Sequence, residues 1–127
     1  MQDFRNLPAW QKSHRVAVEI YRVTNDFPAS ERSGLAGQMR TASVSIGSNI
    51  AEGAMRSSDR DFRRMVGIAI GSASELKYRL VLSKDLGFIG EQPYALLIVA
   101  IRDVKRILGR LIRSLSNQNQ SPSSDSG

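Results

Sequence analysis

The sequence predicts an all-α protein, an up-down-up-down antiparallel four-helix bundle. Apolar residues recur at helical spacing in four segments, breakers separate those segments, and none shows the alternation typical of a strand. The chain has 127 residues, of which 41% are hydrophobic, and this suits a single domain. A chain of this size removes roughly two-thirds of its surface from water on folding. Short connectors between successive helices favour antiparallel neighbours.

The first helix is predicted at about residues 8–27. Pro8 occupies the opening position, where its missing N–H costs nothing, and Pro28 ends the helix because its ring disfavours helical geometry in the preceding residue. Thr24 lies within the apolar side, where its hydroxyl is expected to bond to a carbonyl of the preceding turn. The other residues of that side are Trp10, Ala17, Ile20, Tyr21 and Phe27.

The second and third helices are predicted at about 30–56 and 58–86. Ser58 and Asp61 resemble a capping box at the start of the third helix, and Gly87 supplies its C-terminal stop. Both segments carry an apolar stripe that is expected to form the core. The stripe of the second comprises Leu35, Met39, Ala42, Ile46, Ile50 and Gly53; that of the third comprises Phe62, Met65, Val66, Ala69, Ala73, Leu76 and Leu80.

The fourth helix is predicted at about 91–116 and completes a bundle that spans residues 1–116. Its apolar seam resembles that of a coiled coil, with spacings of 4, 3, 4, 3 and 4 between successive members. The seam consists of Leu97, Ile101, Val104, Leu108, Leu111 and Leu115. Residues 117–127 are polar and low in complexity, so we predict a disordered tail there.

A second apolar face on the two middle helices predicts self-association. On the second helix it comprises Val44, Ala51 and Met55, about half a turn from the core stripe. On the third it comprises Gly67, Gly71, Tyr78, Val81 and Leu82, and the two glycines allow another helix to approach closely. Apolar residues left on a surface mark an interaction site. The alternative is that the middle helices cross at wide angles, so that the bundle itself buries both faces.

Composition excludes several kinds of chemistry. The chain has no cysteine, which rules out disulfides and thiolate metal sites and fits a cytoplasmic location. Its single histidine, His14, is expected to be a partly buried packing residue and cannot complete a di-iron or zinc motif. We therefore expect no metal, no cofactor and no catalytic residue, with Asn49 and Glu52 as the one alternative for an enzyme. The start of the chain lacks a secretory signal, and the longest apolar run, 94–101, is too short to span a membrane.

Positive charge is concentrated on the fourth helix. The chain carries a net charge of +6, and four arginines spaced 4, 4 and 3 apart share one helix face within about 80°. They are Arg102, Arg106, Arg110 and Arg113, which we call the arginine stripe. A second cluster, Arg56, Arg60, Arg63 and Arg64, surrounds the turn into the third helix, and Arg60, Arg63 and Arg64 are its candidate contacts to nucleic acid. Guanidinium groups bind phosphate in a bidentate manner, so the pattern indicates a nucleic-acid interface; the alternative is an ordinary solvated face.

Three stretches of the sequence resemble a known family. They are FRNLPAWQKSHRVAVEIYRVTNDFP, ERSGLAGQMRTASVSIGSNIAEG and DFRRMVGIAIGSASELKYRLVLSKDLGFI. With SIGSNIAEG and GSASEL as the most specific parts, residues 4–115 resemble the bacterial four-helix-bundle proteins encoded in intervening sequences of 23S ribosomal RNA genes. The sequence is also similar to the accessory protein of diversity-generating retroelements. One departure is Gly47, where the family commonly has proline.

The resemblance to the family implies a four-helix bundle that assembles as a homopentamer with a central channel. The similarity to the retroelement accessory protein implies a basic pentamer that binds nucleic acid and a reverse transcriptase. It brings no catalytic residues. From residues and resemblance together, we expect a non-enzymatic oligomer that binds structured RNA through the arginine stripe. The alternatives are a protein-interaction scaffold without a nucleic-acid role and a retroelement accessory protein that binds a reverse transcriptase.

Overall fold

A computed structural model describes residues 3–56 and 58–126, with side chains as far as Ser116. Four helices account for most of the chain: α1 (Pro8–Thr24), α2 (Leu35–Ala54), α3 (Asp59–Asp85) and α4 (Glu91–Ser126). Two short 3₁₀ turns precede α1 and α2, at Phe4–Asn6 and Ala29–Glu31. The described residues contain no strand. The prediction of an all-α fold is confirmed.

The helices are arranged as a square in cross-section. Each packs against its neighbour in sequence, and α4 closes the square against α1. Across the diagonals, α1 with α3 and α2 with α4, the described backbones do not come close. Because tight connectors join the successive helices, the topology is up-down-up-down. This confirms the predicted bundle.

Local chemistry fixes both ends of α3. The hydroxyl of Ser58 accepts the N–H of Asp61 at 3.1 Å, as the capping pattern predicts. At the other end Gly87 adopts a φ of +78°, which permits the chain to reverse. The N–H of Gly87 then donates to the carbonyl of Lys84 at 3.0 Å, and the N–H of Phe88 donates to the carbonyl of Ser83 at 2.9 Å. This pair of bonds is the Schellman arrangement and satisfies the last carbonyls of the helix.

The stripes of α2, α3 and α4 form the core as predicted. Every member is buried except Leu111, which is half-buried. Residues with no exposed area include Met39, Ile46, Ile50, Leu76, Leu80, Ile101 and Leu108. The helix of α2 continues through Gly47 without interruption.

The apolar side predicted for α1 is partly wrong. Its buried face consists of Ala9, Ser13, Val16, Ile20 and Thr24. Ile20 and Phe27 are buried as predicted, but Trp10 and Ala17 are half-buried and Tyr21 is 44% exposed. Thr24 is buried with its hydroxyl bonded to the preceding turn, as predicted. The core position that the prediction missed is that of Ser13, a second hydroxyl. Ser13 donates to the carbonyl of Ala9 at 2.7 Å and Thr24 donates to that of Ile20 at 2.6 Å, so both side chains enter the core with their polar groups satisfied.

The helix ends between α1 and α2 also differ from the prediction. α1 ends at Thr24 rather than near Phe27, and α2 begins at Leu35 rather than near Ser30. The carboxylate of Glu31 accepts the N–H of Leu35 at 3.1 Å and so caps α2 after the 3₁₀ turn.

α4 runs to Ser126, whereas the sequence predicted its end near Ser116. The side chains of 117–127 lie outside the described ones, and the disorder predicted for this tail stays a prediction. Within the described residues, every helix is either too short or too polar to cross a membrane.

Candidate nucleic-acid interface

The arginine stripe lies on the outer surface of α4. The opposite side of this helix is the buried seam from Leu97 to Leu115, so packing the seam turns the stripe towards solvent. Arg102, Arg106, Arg110 and Arg113 are all exposed. The bundle therefore presents the four guanidinium groups on one accessible face.

Neighbouring helices do not neutralise the stripe. Arg106 pairs with Asp103, which lies on the same helix one turn away. The other three stripe arginines form no ion pair with any carboxylate of the described residues. An exposed pair such as Arg106–Asp103 contributes only about 0.2–1 kcal/mol, so a phosphate can compete for Arg106 as well.

Lys12 of α1 adds a positive charge beside the stripe. It lines a surface groove between α1 and α4 together with Asp103, Arg106, Ile107 and Arg110. Sequence reasoning missed this residue because its position depends on the packing of α1 against α4, which links residues far apart in the chain.

The second arginine cluster lies at the same end of the bundle. Arg60, Arg63 and Arg64 line an open groove of about 720 Å³ between α3 and α4, and Ile112 and Ser116 of α4 line its other wall. Gly67 also lines this groove, and a Cβ at this position would be in ordinary contact with Cδ1 of Ile112, at 3.9 Å. The structure thus brings the two predicted arginine clusters to adjacent surfaces. The nearby Arg56 is paired with Glu52 at 2.7 Å.

The residues of the predicted oligomer interface remain accessible in the single chain. Val44 is 45% exposed, Met55 50% and Tyr78 66%. Gly67 and Gly71 are exposed, and Ala51 is half-buried. Val81 and Leu82 of this face are half-buried. The single chain therefore leaves much of the second face exposed, which disagrees with the alternative that the bundle itself buries both faces. The face is divided, however: Val44 and Ala51 line a groove between α1 and α2, whereas Gly67 lines the groove between α3 and α4.

The groove between α1 and α2 is large, about 660 Å³, and rich in aromatic side chains. The ring of Trp10 stacks on His14 with centroids 4.8 Å apart, and Phe4 meets Trp10 edge-on at 5.0 Å. His14 is exposed, which corrects the expectation of partial burial; its packing is the stack on Trp10. Gly47 opens the groove, because a Cβ there would lie 3.5 Å from Nε1 of Trp10.

The two residues considered for catalysis are each held by their own helix. The amide of Asn49 donates to the carbonyl and the hydroxyl of Ser45, at 2.8 and 3.1 Å. Glu52 forms its ion pair with Arg56. These contacts give both side chains structural partners on α2. Within the described part of the chain, no group of three or more His, Asp or Glu side chains is placed to hold a metal ion.

Comparison with known proteins agrees with the fold. The model of the family described as 23S rRNA-intervening sequence protein matches residues 5–110. A solved structure of a protein of unknown function from the S23 ribosomal protein family of Bacteroides thetaiotaomicron superposes with a TM-score of 0.77. The two sequences are 24% identical, and the match covers 83% of this chain and 95% of that one. No curated protein matches the sequence.

Proposed function

The chain belongs to the 23S rRNA-intervening sequence protein family, and from this premise we propose that it is a non-enzymatic, oligomeric protein that binds structured RNA. The observation that carries the proposal is the arginine stripe, four exposed guanidinium groups on one face with a single ion pair among them. Guanidinium forms bidentate hydrogen bonds to phosphate, which suits this face to a polyanion.

The contacts would be made to the phosphate backbone. The largest aromatic cluster, Phe4, Trp10 and His14, lies in the α1–α2 groove, away from the stripe on the outer surface of α4. Among the described residues, no aromatic side chain lines either groove beside the arginines, so bases find no stacking platform there. Phosphate contacts position a protein on nucleic acid without reading its sequence, so we expect weak sequence preference. Lys12 and the α3 cluster would extend the contact on either side of the stripe.

Self-association is the second part of the proposal. The exposed apolar residues Val44, Met55 and Tyr78 support it, because such surface is usually covered in an assembly. Since the predicted interface is divided between two sides of the bundle, the contact would be heterologous, one side of a protomer meeting the other side of the next. Repetition of such a contact closes a ring when the rotation fits. A ring, a pentamer by resemblance, would repeat the stripe and increase avidity for RNA.

The test is RNA binding across a salt series. We expect salt-dependent binding of structured RNA by the parent chain, and loss of most of it when Arg106→Glu and Arg110→Glu are combined. The matched control combines Arg22→Glu with Lys77→Glu, which lowers the net charge equally at sites away from the stripe. The proposal would be contradicted if the affinity for RNA did not change with salt concentration, or if it fell equally in both double variants.

A protein-interaction scaffold is the second candidate. The α1–α2 groove favours it, since Tyr21 and Val44 are exposed beside the aromatic cluster there. A reverse transcriptase, which the resemblance suggests, is one partner to try. If the chain is a scaffold, a purified partner should bind the variant that combines Arg106→Glu with Arg110→Glu as tightly as the parent chain. Val44→Asp should abolish the complex.

A further inference from the structure

A small polar hollow lies between the end of α1 and the start of α2. Its volume is about 70 Å³, roughly twice the ~30 Å³ that one molecule of liquid water occupies. Four polar side chains line it, namely Thr24, Asn25, Arg32 and Arg40; the remaining lining residues are Phe27, Pro28, Ala29 and Ala36. Two of these residues are cations, and no carboxylate lines the hollow.

Contacts within the protein hold Arg40 in place. Its Nε donates to the hydroxyl of Thr24 at 2.8 Å, and its Nη2 donates to Oδ1 of Asn25 at 2.9 Å and to the carbonyl of Tyr21 at 3.3 Å. The guanidinium also lies over the ring of Tyr21, 4.7 Å from the centroid. Arg40 is half-buried, yet no carboxylate of the described residues pairs with it. The side chain is thus a fixed cation without an anion.

Several donors of the hollow remain unused. Nη1 of Arg40 has no acceptor among the described residues, and Arg32 is exposed and makes no side-chain hydrogen bond or ion pair there. Because Oδ1 of Asn25 accepts from Arg40, its amide NH₂ is available as a donor. Two acids are close in sequence, Asp26 and Glu31, and neither lines the hollow. The carboxylate of Glu31 accepts the N–H of Leu35 at 3.1 Å.

We propose that this hollow binds a tetrahedral phosphate group, held between Arg32 and Arg40 with the amide of Asn25 as a third donor. The geometry suits a single oxyanion, because the hollow is small and Nη1 belongs to a guanidinium that three hydrogen bonds already fix, so it loses little freedom when it binds. The group would be inorganic phosphate or a phosphate monoester such as the 5′ end of an RNA. The hollow is at the opposite end of the bundle from Lys12 and Arg110, so the site is separate from the arginine stripe.

NMR titration of the full chain with inorganic phosphate at constant ionic strength tests the site. We expect saturable shifts confined to the amides of residues 24–40. Arg32→Gln is expected to weaken binding about tenfold or more, as loss of one charge-assisted hydrogen bond does. Arg40→Lys should do the same, because one ammonium group cannot keep the contacts to Thr24 and Asn25 and also present a fixed donor to the hollow. The control Arg15→Gln removes the same charge from an exposed site on α1 and should bind like the parent. Shifts that never saturate, or that are equal in Arg32→Gln and the parent, would overturn the proposal.

A second arm identifies the source of the phosphate. Short RNA with a 5′-phosphate is compared with the same RNA ending in a 5′-hydroxyl, in the parent and in Arg32→Gln. A preference for the 5′-phosphate that disappears in Arg32→Gln assigns the site to RNA ends. Equal binding of both RNAs, together with saturable binding of inorganic phosphate, assigns it to the free ion. Combining Arg106→Glu with Arg110→Glu should leave phosphate binding intact, which separates failure of this site from failure of the stripe.

Discussion

Gly53 of α2 lies directly against the ring of Phe62 on α3. A Cβ at Gly53 would be 2.7 Å from Cδ1 of Phe62 and 3.0 Å from Cβ of Met65. Both distances are shorter than ordinary packing allows, so only glycine permits this approach. The contact holds the end of α2 against the first turns of α3 and thereby positions Arg63 and Arg64 at that end of the bundle.

Gly53→Ala is expected to lower the free energy of unfolding by about 1–3 kcal/mol, because the added methyl must displace the aromatic ring or the backbone. Gly109→Ala is the matched control. Its Cβ would meet only Nη1 of Arg113, at 3.6 Å, so helix propensity should raise stability by about 0.5–1 kcal/mol. Urea denaturation measures both. Equal stability of Gly53→Ala and the parent would contradict the packing described.

The ends of α3 were predictable from sequence because their chemistry is local. A hydroxyl three residues before Asp61 can cap the helix whatever surrounds it, and a glycine after the last apolar residue can adopt positive φ. The core stripes were predictable for a similar reason: periodicity alone decides which side of a regular helix is apolar.

The remainder depended on tertiary packing. Hydrophobicity predicted Trp10 and Tyr21 on the buried side of α1, whereas the packing of α1 against α2 and α4 buries Ser13, whose hydroxyl bonds to the carbonyl of Ala9. The burial of Thr24 and its bond to the preceding turn were predicted. Lys12 lies close to Arg106 because α1 packs against α4. The hollow beside Arg40 forms because α1 packs against α2. A local sequence pattern does not predict which residues of different helices lie close together.

Thr24→Val tests the bond between α1 and α2. Valine has nearly the same shape, but it leaves Nε of Arg40 without its acceptor at 2.8 Å. We expect the free energy of unfolding to fall by about 1–3 kcal/mol, the cost of an unsatisfied donor. Thr41→Val, at an exposed position of the same bundle, should change it by less than about 0.5 kcal/mol. Similar denaturation midpoints for the two variants would show that the Thr24 hydroxyl contributes little.

The connection between α3 and α4 predicts a measurable pKa. Nζ of Lys84 lies 3.0 Å from Oε1 of Glu91, and this hydrogen bond raises the pKa of Lys84 above its ordinary value. Because the folded-state pKa is the higher one, the stabilisation is present while the lysine is charged and disappears as pH rises through that pKa. Glu91→Gln should lower the pKa of Lys84, and NMR of the lysine side chain over a pH series measures this pKa. Glu75→Gln, more than two turns away on α3, should leave it unchanged; an equal fall in both would rule out the specific contact.

Gly71→Leu tests self-association. A Cβ at Gly71 would meet nothing within 4 Å in the single chain, so a larger side chain there has no reason to disturb the bundle. We expect helicity to be retained and the mass in solution, measured by light scattering, to fall to that of smaller species. Ser114→Leu places the same side chain on an exposed position of α4 and should leave the mass unchanged. A parent chain that is monomeric at tens of micromolar would contradict the proposed assembly directly.

The salt dependence of RNA binding tells whether the two arginine clusters act as one surface. Each phosphate contact on a duplex contributes about 0.9 to the slope of log K against log salt, so the four stripe arginines predict a slope near −3.6 on DNA and a similar one on RNA. Arg63 and Arg64 share the α3–α4 groove with Ile112, which adjoins Arg113 in the stripe. If the phosphate backbone follows this groove, combining Arg63→Gln with Arg64→Gln should flatten the slope of the parent by about 1.8. The pair Arg22→Gln and Lys77→Gln removes the same charge elsewhere and should leave the slope unchanged. If the slope of log K against log salt is the same in the Arg63, Arg64 variant as in the parent, the interface is confined to α4. Arginines that do not contact a phosphate release no counterions on binding.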